Sequence, residues 1–153
     1  GADGEHPELG HLAVDPDGPE CYCGSRGCLE SLASGTALAA AGQPAGYTDA
    51  RAVFDAARSG EPTAQAILER AMAAAGAAAW TLFHTFLPQR LILGGGMAEE
   101  HFDLYAAAIR ARLAGATQFT PKAVEIVQAQ LGNEAGVIGA AALITVLDRG
   151  RKG

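Results

Sequence analysis

Residues 11–28 run His11-Leu12-Ala13-Val14-Asp15-Pro16-Asp17-Gly18-Pro19-Glu20-Cys21-Tyr22-Cys23-Gly24-Ser25-Arg26-Gly27-Cys28. The pattern H-x9-C-x-C-x4-C takes up all three cysteines of the chain. Three thiolates and one imidazole make the closed tetrahedral N/S set of a structural zinc site, with no position left for a reacting water. His11, Cys21, Cys23 and Cys28 are therefore the candidate metal ligands. The set carries a net negative charge, and Arg26 inside the loop is placed to offset it. Two other readings stand beside zinc: three small buried cysteines, or a disulfide between two of them. One intervening residue strains a Cys21–Cys23 disulfide, and any pairing leaves a cysteine over. Residues 1–28 are rich in Gly, Pro and Asp, with His11–Val14 as the one strand candidate ahead of the turn at Pro16-Asp17-Gly18-Pro19. A segment of that composition needs a staple.

Beyond the loop the pattern turns helical. Leu29–Ala41 reads as helix with an interruption near Ser34-Gly35, and Gln43-Pro44-Ala45-Gly46 ends it. Thr48 is placed to cap a helix from Asp49 to about Arg58, which Ser59-Gly60 stops. Pro62 suits a first helical position, and Ile67, Leu68, Ala71, Met72 and Ala75 recur at helical spacing toward Phe86. Its alanines and Gly76 let neighbouring backbones approach closely. The uncharged run Ala71–Gln89 invites a membrane reading, but it is mostly Ala, contains His84 and stops at Pro88, so an interior helix fits better.

Arg90-Leu91-Ile92-Leu93 is a short apolar run ending at Gly94-Gly95-Gly96, as a buried strand entering a tight turn would. A helix is expected from about Glu99 to Leu113, a strand over Val124–Ala129, and an apolar helix over Ala135–Leu147 after Gly132-Asn133. Helix, strand, helix, strand, helix is an α/β order with crossover helices covering a sheet.

The chain has 153 residues, 49% of them hydrophobic, enough for one domain with a continuous core. Its net charge is -6, and the 11 Lys and Arg are scattered apart from Arg149, Arg151 and Lys152, so no basic face for nucleic acid stands out. The opening Gly1-Ala2-Asp3-Gly4-Glu5-His6 has neither an initiating Met nor the basic and apolar segments of a secretory leader. A cytoplasmic location is expected, with residues 1–153 part of a longer polypeptide. His6, His84 and His101 lack partner spacing, and Trp80 and Phe83 belong to the long helix, so all five read as surface or core.

The residues around the candidate ligands resemble a known family. Glu8-Leu9-Gly10-His11, then Cys21 to Glu30, then Ala33-Ser34-Gly35, are similar to the signature of the ROK family of bacterial sugar kinases and sugar-responsive repressors. Leu91–Gly96 and Leu131-Gly132-Asn133-Glu134-Ala135-Gly136 resemble that family's later motifs, so the likeness runs over nearly the whole chain. Pro7 departs from it, since the family usually has glycine before the glutamate.

The resemblance implies a hexokinase/actin-like (ribonuclease H-like) α/β fold. Residues 1–153 would be the C-terminal lobe, 1–30 its inserted sugar and zinc loop, and 31–153 its helical and α/β portion. It implies that Glu8, His11 and Glu30 bind sugar hydroxyls, for which carboxylates and an imidazole supply the acceptors and donor. Read without it, Glu8 is a solvated loop acid and Glu30 a helix-start acid favoured by the macrodipole. Gly94 and Gly95 would border an ATP pocket, where the plain reading is a strand-to-helix turn. Asn133 would lie near them.

Three functions are then open. The first is the sugar- and zinc-binding lobe of an ATP-dependent hexose or amino-sugar kinase, inactive alone because the family's Asp base and the phosphate and magnesium loops fall upstream of Gly1. Asp3 and Asp17 have no context to replace them. The second is the effector lobe of a repressor of the same family, with DNA as a partner only if a helix-turn-helix lies upstream. The third is a stand-alone zinc-stabilised binding or dimerisation module. A homodimer is expected in the first two readings, and a membrane partner in none.

Overall fold

A computed structural model of the chain describes residues 6–116 and 124–150. Arg90–Leu93 forms β1 and Glu125–Gln128 forms β2, paired in parallel with Arg90 opposite Glu125 and Leu93 opposite Gln128. Parallel neighbours need a long crossover, and α5 (Gly96–Leu113) supplies it. The Arg90 Nη2–Glu125 Oε2 ion pair, 2.6 Å, closes the first rung of this register. Ahead of β1 the chain forms α1 (Leu29–Ala33), α2 (Gly35–Gly42), α3 (Ala50–Arg58) and α4 (Pro62–Phe86). After β2, α6 spans Ala135–Gly150, and Gly136 belongs to its first turn.

The core lies where α4 crosses α3 and α5. Ala71, Ala75 and Ala79 of α4 are buried with Leu38, Phe54, Tyr105, Ala106, Ile109 and Ile126. Small side chains on α4 let α5 come close. A Cβ at Gly76 would sit 3.1 Å from Arg112 Cβ, tighter than ordinary van der Waals contact. The Arg112 guanidinium then lies over the Trp80 ring at 4.2 Å, a cation–π contact at the rim of that interface. Trp80 and Phe83 divide as surface and core: Phe83 is buried, while Trp80 is half-buried under Arg112. No helix among the described residues is long and apolar enough to cross a membrane.

Several local expectations are corrected. His11–Val14 forms no strand. Leu9–His11 is a single 3-10 turn, and Ala13 makes one isolated antiparallel bridge to Cys28, because backbone pairing there is spent on closing the loop. The interruption expected near Ser34-Gly35 is present: Ser34 Oγ accepts from Ala37 N–H at 3.1 Å and so caps α2. The cap of α3 is Asp49, not Thr48: Asp49 Oδ1 accepts from Ala52 N–H at 2.8 Å, and Thr48 Oγ1 only donates to that same carboxylate.

The helix α5 starts at Gly96, earlier than expected, and kinks at His101 (φ -131, ψ 30). Gln128 Nε2 donates to the Ala98 and Glu99 carbonyls, at 3.3 and 3.1 Å, just before the kink. The His101 ring is stacked on Phe54 with centroids 3.6 Å apart.

That stack makes the fold sensitive to pH. Burial lowers the His101 pKa from its ordinary value; Arg58 and Arg51 lower it further, and Glu100 and Asp55 oppose them. The folded chain therefore binds this proton less readily than the unfolded chain, and stability is lost as pH falls below the ordinary histidine range. His101→Phe keeps an aromatic partner for Phe54 and removes the proton. Its melting temperature is expected to fall less than the parent's between about pH 7.5 and about pH 5; parallel decline in both proteins would show that His101 does not contribute.

Candidate functional site

The loop at 6–28 is folded by its own backbone. Val14 and Asp15 N–H groups donate to Gly27 O (2.9 and 3.2 Å), Gly27 N–H donates to Pro19 O (2.8 Å), and Cys21 N–H to Ser25 O (2.8 Å). Gly27 has φ +61, and a Cβ there would run into the Asp15 carbonyl, so only glycine allows this closure. The loop is tied to the long helix by Arg70, whose Nε and Nη2 donate to Asp15 Oδ2 at 3.1 and 2.7 Å, and whose Nη2 also reaches Asp17 O at 3.3 Å. The guanidinium holds the Asp15 carboxyl below its ordinary pKa.

This backbone brings the four candidate ligands together. The ligand atoms of His11, Cys21, Cys23 and Cys28 all lie within 4.8 Å of one another. His11 Nδ1 is 3.5 Å from Cys21 Sγ, and Cys23 Sγ is 3.6 Å from Cys28 Sγ. A tetrahedral zinc with Zn–S of about 2.3 Å and Zn–N of about 2.05 Å has S···S edges of about 3.8 Å and N···S edges of about 3.6 Å. The two short edges thus suit a metal of that size, and the donor set of three thiols and an imidazole is one that could hold it. No disulfide forms, and all three cysteines are free. The reading of three buried cysteines fails at Cys23, which is exposed. Arg26 is not left to offset the cluster's charge, because Nη1 pairs with Glu20 Oε1 at 3.0 Å.

The thiols differ electrostatically. Burial pushes Cys28 up to about 11, and the neighbouring Cys23 and Cys21 thiols add to the shift. Cys23 is lowered, chiefly by the hydrogen bond from the Ser25 backbone. Metal-free, Cys28 stays protonated, with Sγ 3.6 Å from His11 O.

Glu30 stands beside this cluster on the first turn of α1. Its Oε2 is 3.9 Å from His11 Nδ1 and accepts from the Tyr22 hydroxyl at 3.2 Å. Gly10 lies against it: a Cβ there would come into ordinary contact with Glu30 Cβ and Oε2, at 3.4 Å from each. The helix carrying Glu30 is fixed from the core side by Tyr105, whose hydroxyl donates to Ala33 O at 2.9 Å. His11 and Glu30 are thus brought together. Glu8 joins them through its backbone alone: its carbonyl accepts from His11 N–H at 3.0 Å, while its carboxylate Oε1 pairs with His6 Nδ1 at 3.1 Å, with both side chains exposed.

Gly94 and Gly95 form the turn between β1 and α5. Gly95, the residue before α5, has φ +91, and a Cβ there would meet nothing within 4 Å. The backbone is therefore open to an approaching group. A cleft of about 480 Å³ runs from Gly10, Glu30 and Ser34 to Leu93 and Gly94, so both candidate sites border one cavity. The Asn133 side chain and residues 1–5, with Asp3, lie outside the described residues, as do Arg151, Lys152 and the Arg149 side chain.

Sequence reading missed Arg70 and Tyr105, whose partners lie 55 and 72 residues away. Tyr22 lies inside the motif, and the sequence alone assigns it no role. Its position between two candidate ligands was the available signal.

The model of the ROK family matches residues 1–146. The chain is similar to a glucokinase of Thermotoga maritima, 36% identical over 94% of this chain and 50% of that protein. It is also similar to an N-acetylmannosamine kinase of Escherichia coli, 36% identical over 88% of this chain and 45% of that protein. Among solved structures, a ROK hexokinase from Thermus thermophilus superposes with a TM-score of 0.77 at 36% identity, covering 94% of this chain and 49% of that one. A ROK family transcriptional regulator, described as a homolog of the E. coli MLC protein, gives 0.59 at 26% identity, over 79% of this chain and 34% of that one. The chain spans about half the length of the curated relatives it matches.

The thiol environments give a direct test of the cluster. In metal-free protein, alkylation followed by peptide mapping is expected to label Cys23 first and Cys28 last. Loading with zinc should protect all three together. Equal rates at the three positions, unchanged by zinc, would contradict the geometry.

Proposed function

The chain belongs to the ROK family, and from that premise we propose that it is the sugar- and zinc-binding lobe of an ATP-dependent hexose or amino-sugar kinase. The observation that carries this reading is the place of His11, with Nδ1 3.5 Å from Cys21 Sγ and 3.9 Å from Glu30 Oε2. With Nδ1 as the metal ligand, the ring's proton would reside on Nε2, leaving one fixed N–H donor for a sugar hydroxyl. Glu30 and Glu8 supply acceptors. Zinc held by His11, Cys21, Cys23 and Cys28 does no chemistry on the sugar in this reading. When bound, it would set the tautomer and orientation of the imidazole and support the loop that carries Glu8.

Gly94 and Gly95 are proposed to approach the nucleotide, with the open backbone of the turn accepting it across the shared cleft. The reaction itself needs a base on the acceptor hydroxyl and groups that position phosphates and magnesium. None of these roles is assigned to a residue of this chain. The lobe is expected to bind and orient, and to transfer phosphate only as part of the whole protein. The alternative is an effector-binding lobe of a ROK repressor, supported by the likeness to the transcriptional regulator. The same residues would then bind sugar as a signal.

The test is isothermal titration of the zinc-loaded full-length protein with glucose and with N-acetylmannosamine. At least one sugar should bind, and Glu30→Gln should weaken it by about tenfold to a hundredfold, the range for losing a charged hydrogen-bond partner. Unchanged binding in both Glu30→Gln and Glu8→Gln would overturn the sugar assignment. Sugar-dependent ATP consumption identifies the kinase; sugar-dependent release of DNA without ATP consumption identifies the repressor.

A further inference from the structure

Tyr22 is 82% exposed, yet its side chain is engaged at both ends of the site. Its hydroxyl donates to Glu30 Oε2 at 3.2 Å, and its ring meets the His11 ring edge-on with centroids 4.9 Å apart and planes at 83°. It stems from the turn between Cys21 and Cys23, pinned by Cys21 N–H to Ser25 O and by Gly24 N–H to Cys21 O at 3.0 Å. The backbone that carries Tyr22 is thus the backbone that carries two of the candidate ligands. So exposed a tyrosine adds little to packing, and the fold gives no reason for an aromatic residue here.

We infer that Tyr22 is a positioning and specificity residue of the sugar site, holding the Glu30 carboxylate and offering its own hydroxyl to the same pyranose. This rests on the sugar-binding reading of His11 and Glu30. By donating to Oε2, the phenol fixes the carboxylate's rotamer and leaves Oε1 free to accept. The phenol oxygen keeps lone pairs of its own. A neighbouring pair of sugar hydroxyls can then donate to Glu30 Oε1 and to Tyr22 Oη, a chain in which each hydrogen bond polarises the next. Two acceptors held in fixed relation discriminate between epimers, because inverting one carbon moves one hydroxyl away and leaves an acceptor unpaired. The ligand class is a hexopyranose with adjacent hydroxyls on the bound face. Tyr22 and Glu30 line a cleft of about 980 Å³ on the loop side, and Glu30 and Ser34 also line the cleft of about 480 Å³ that reaches Gly94, so Tyr22 meets the proposed sugar site at Glu30.

The experiment compares the zinc-loaded full-length protein with its Tyr22→Phe, Tyr22→Ala and Glu30→Gln variants, using glucose and mannose as titrants. Tyr22→Phe removes only the hydroxyl. It should weaken the preferred sugar about tenfold and bring the glucose and mannose affinities closer together, with zinc stoichiometry and melting temperature unchanged. Tyr22→Ala should weaken binding further. If both Tyr22 variants bind and discriminate like the parent while Glu30→Gln loses binding, the inference is overturned and the sugar reading stands. If Tyr22→Phe loses zinc, Tyr22 belongs to the metal loop alone, which overturns the inference as well. A parent protein that binds neither sugar, nor N-acetylmannosamine, overturns both.

Discussion

Four side chains converge on one point in a segment that has almost no core of its own, and the candidate site depends on that convergence. Among the described residues of 6–28, the buried hydrophobic side chains are Cys21 and Cys28. The interior of the loop is its thiol and imidazole cluster. A buried thiol such as Cys28, held protonated without a metal, can ionise favourably only against a cation. Metal binding in the proposed site would therefore reinforce the closure that the loop's backbone hydrogen bonds and Arg70 already make. The imidazole that completes the cluster stands against Glu30, so a metal bound there would also help set the geometry offered to a sugar.

The rest of the molecule brings the loop to a rigid frame. The alanine-rich α4 packs closely on α5, and each of these helices sends one polar group toward the site. Arg70 takes Asp15 and Asp17 from the loop, and Tyr105 takes the last carbonyl of α1. Glu30 is thus fixed through α1 and His11 through the loop, by two helices that are themselves packed together. The β1–α5 turn borders the same cleft as Glu30. One frame can therefore set the backbone proposed to approach a nucleotide against the carboxylate proposed to bind a sugar.

Much of this was legible in the residues, for identifiable reasons. The α4 boundaries follow from Pro62 at a first helical position and Pro88 beyond the end. The strand at Arg90–Leu93 follows from an apolar run stopped by glycines, and the clustering of His11, Cys21, Cys23 and Cys28 from the use of every cysteine in one short pattern. What escaped was tertiary or a close competition. Thr48 and Asp49 are both good caps, and only the backbone hydrogen bond to Asp49 decides between them. The kink at His101 depends on Phe54 and Gln128 arriving from α3 and β2. The short alternation at His11–Val14 resembles a strand, but its hydrogen bonds go to loop closure. Glu30 reads from sequence as an ordinary helix-start acid, and nothing local reveals that Tyr22 and His11 lie against it.

The most direct measurement is X-ray absorption at the zinc edge on the purified, zinc-loaded protein. The expected spectrum has three sulfur neighbours at about 2.3 Å and one nitrogen at about 2.0 Å. A shell dominated by oxygen or nitrogen, or zinc that washes away while the loop keeps its fold, would contradict a centre built from His11, Cys21, Cys23 and Cys28.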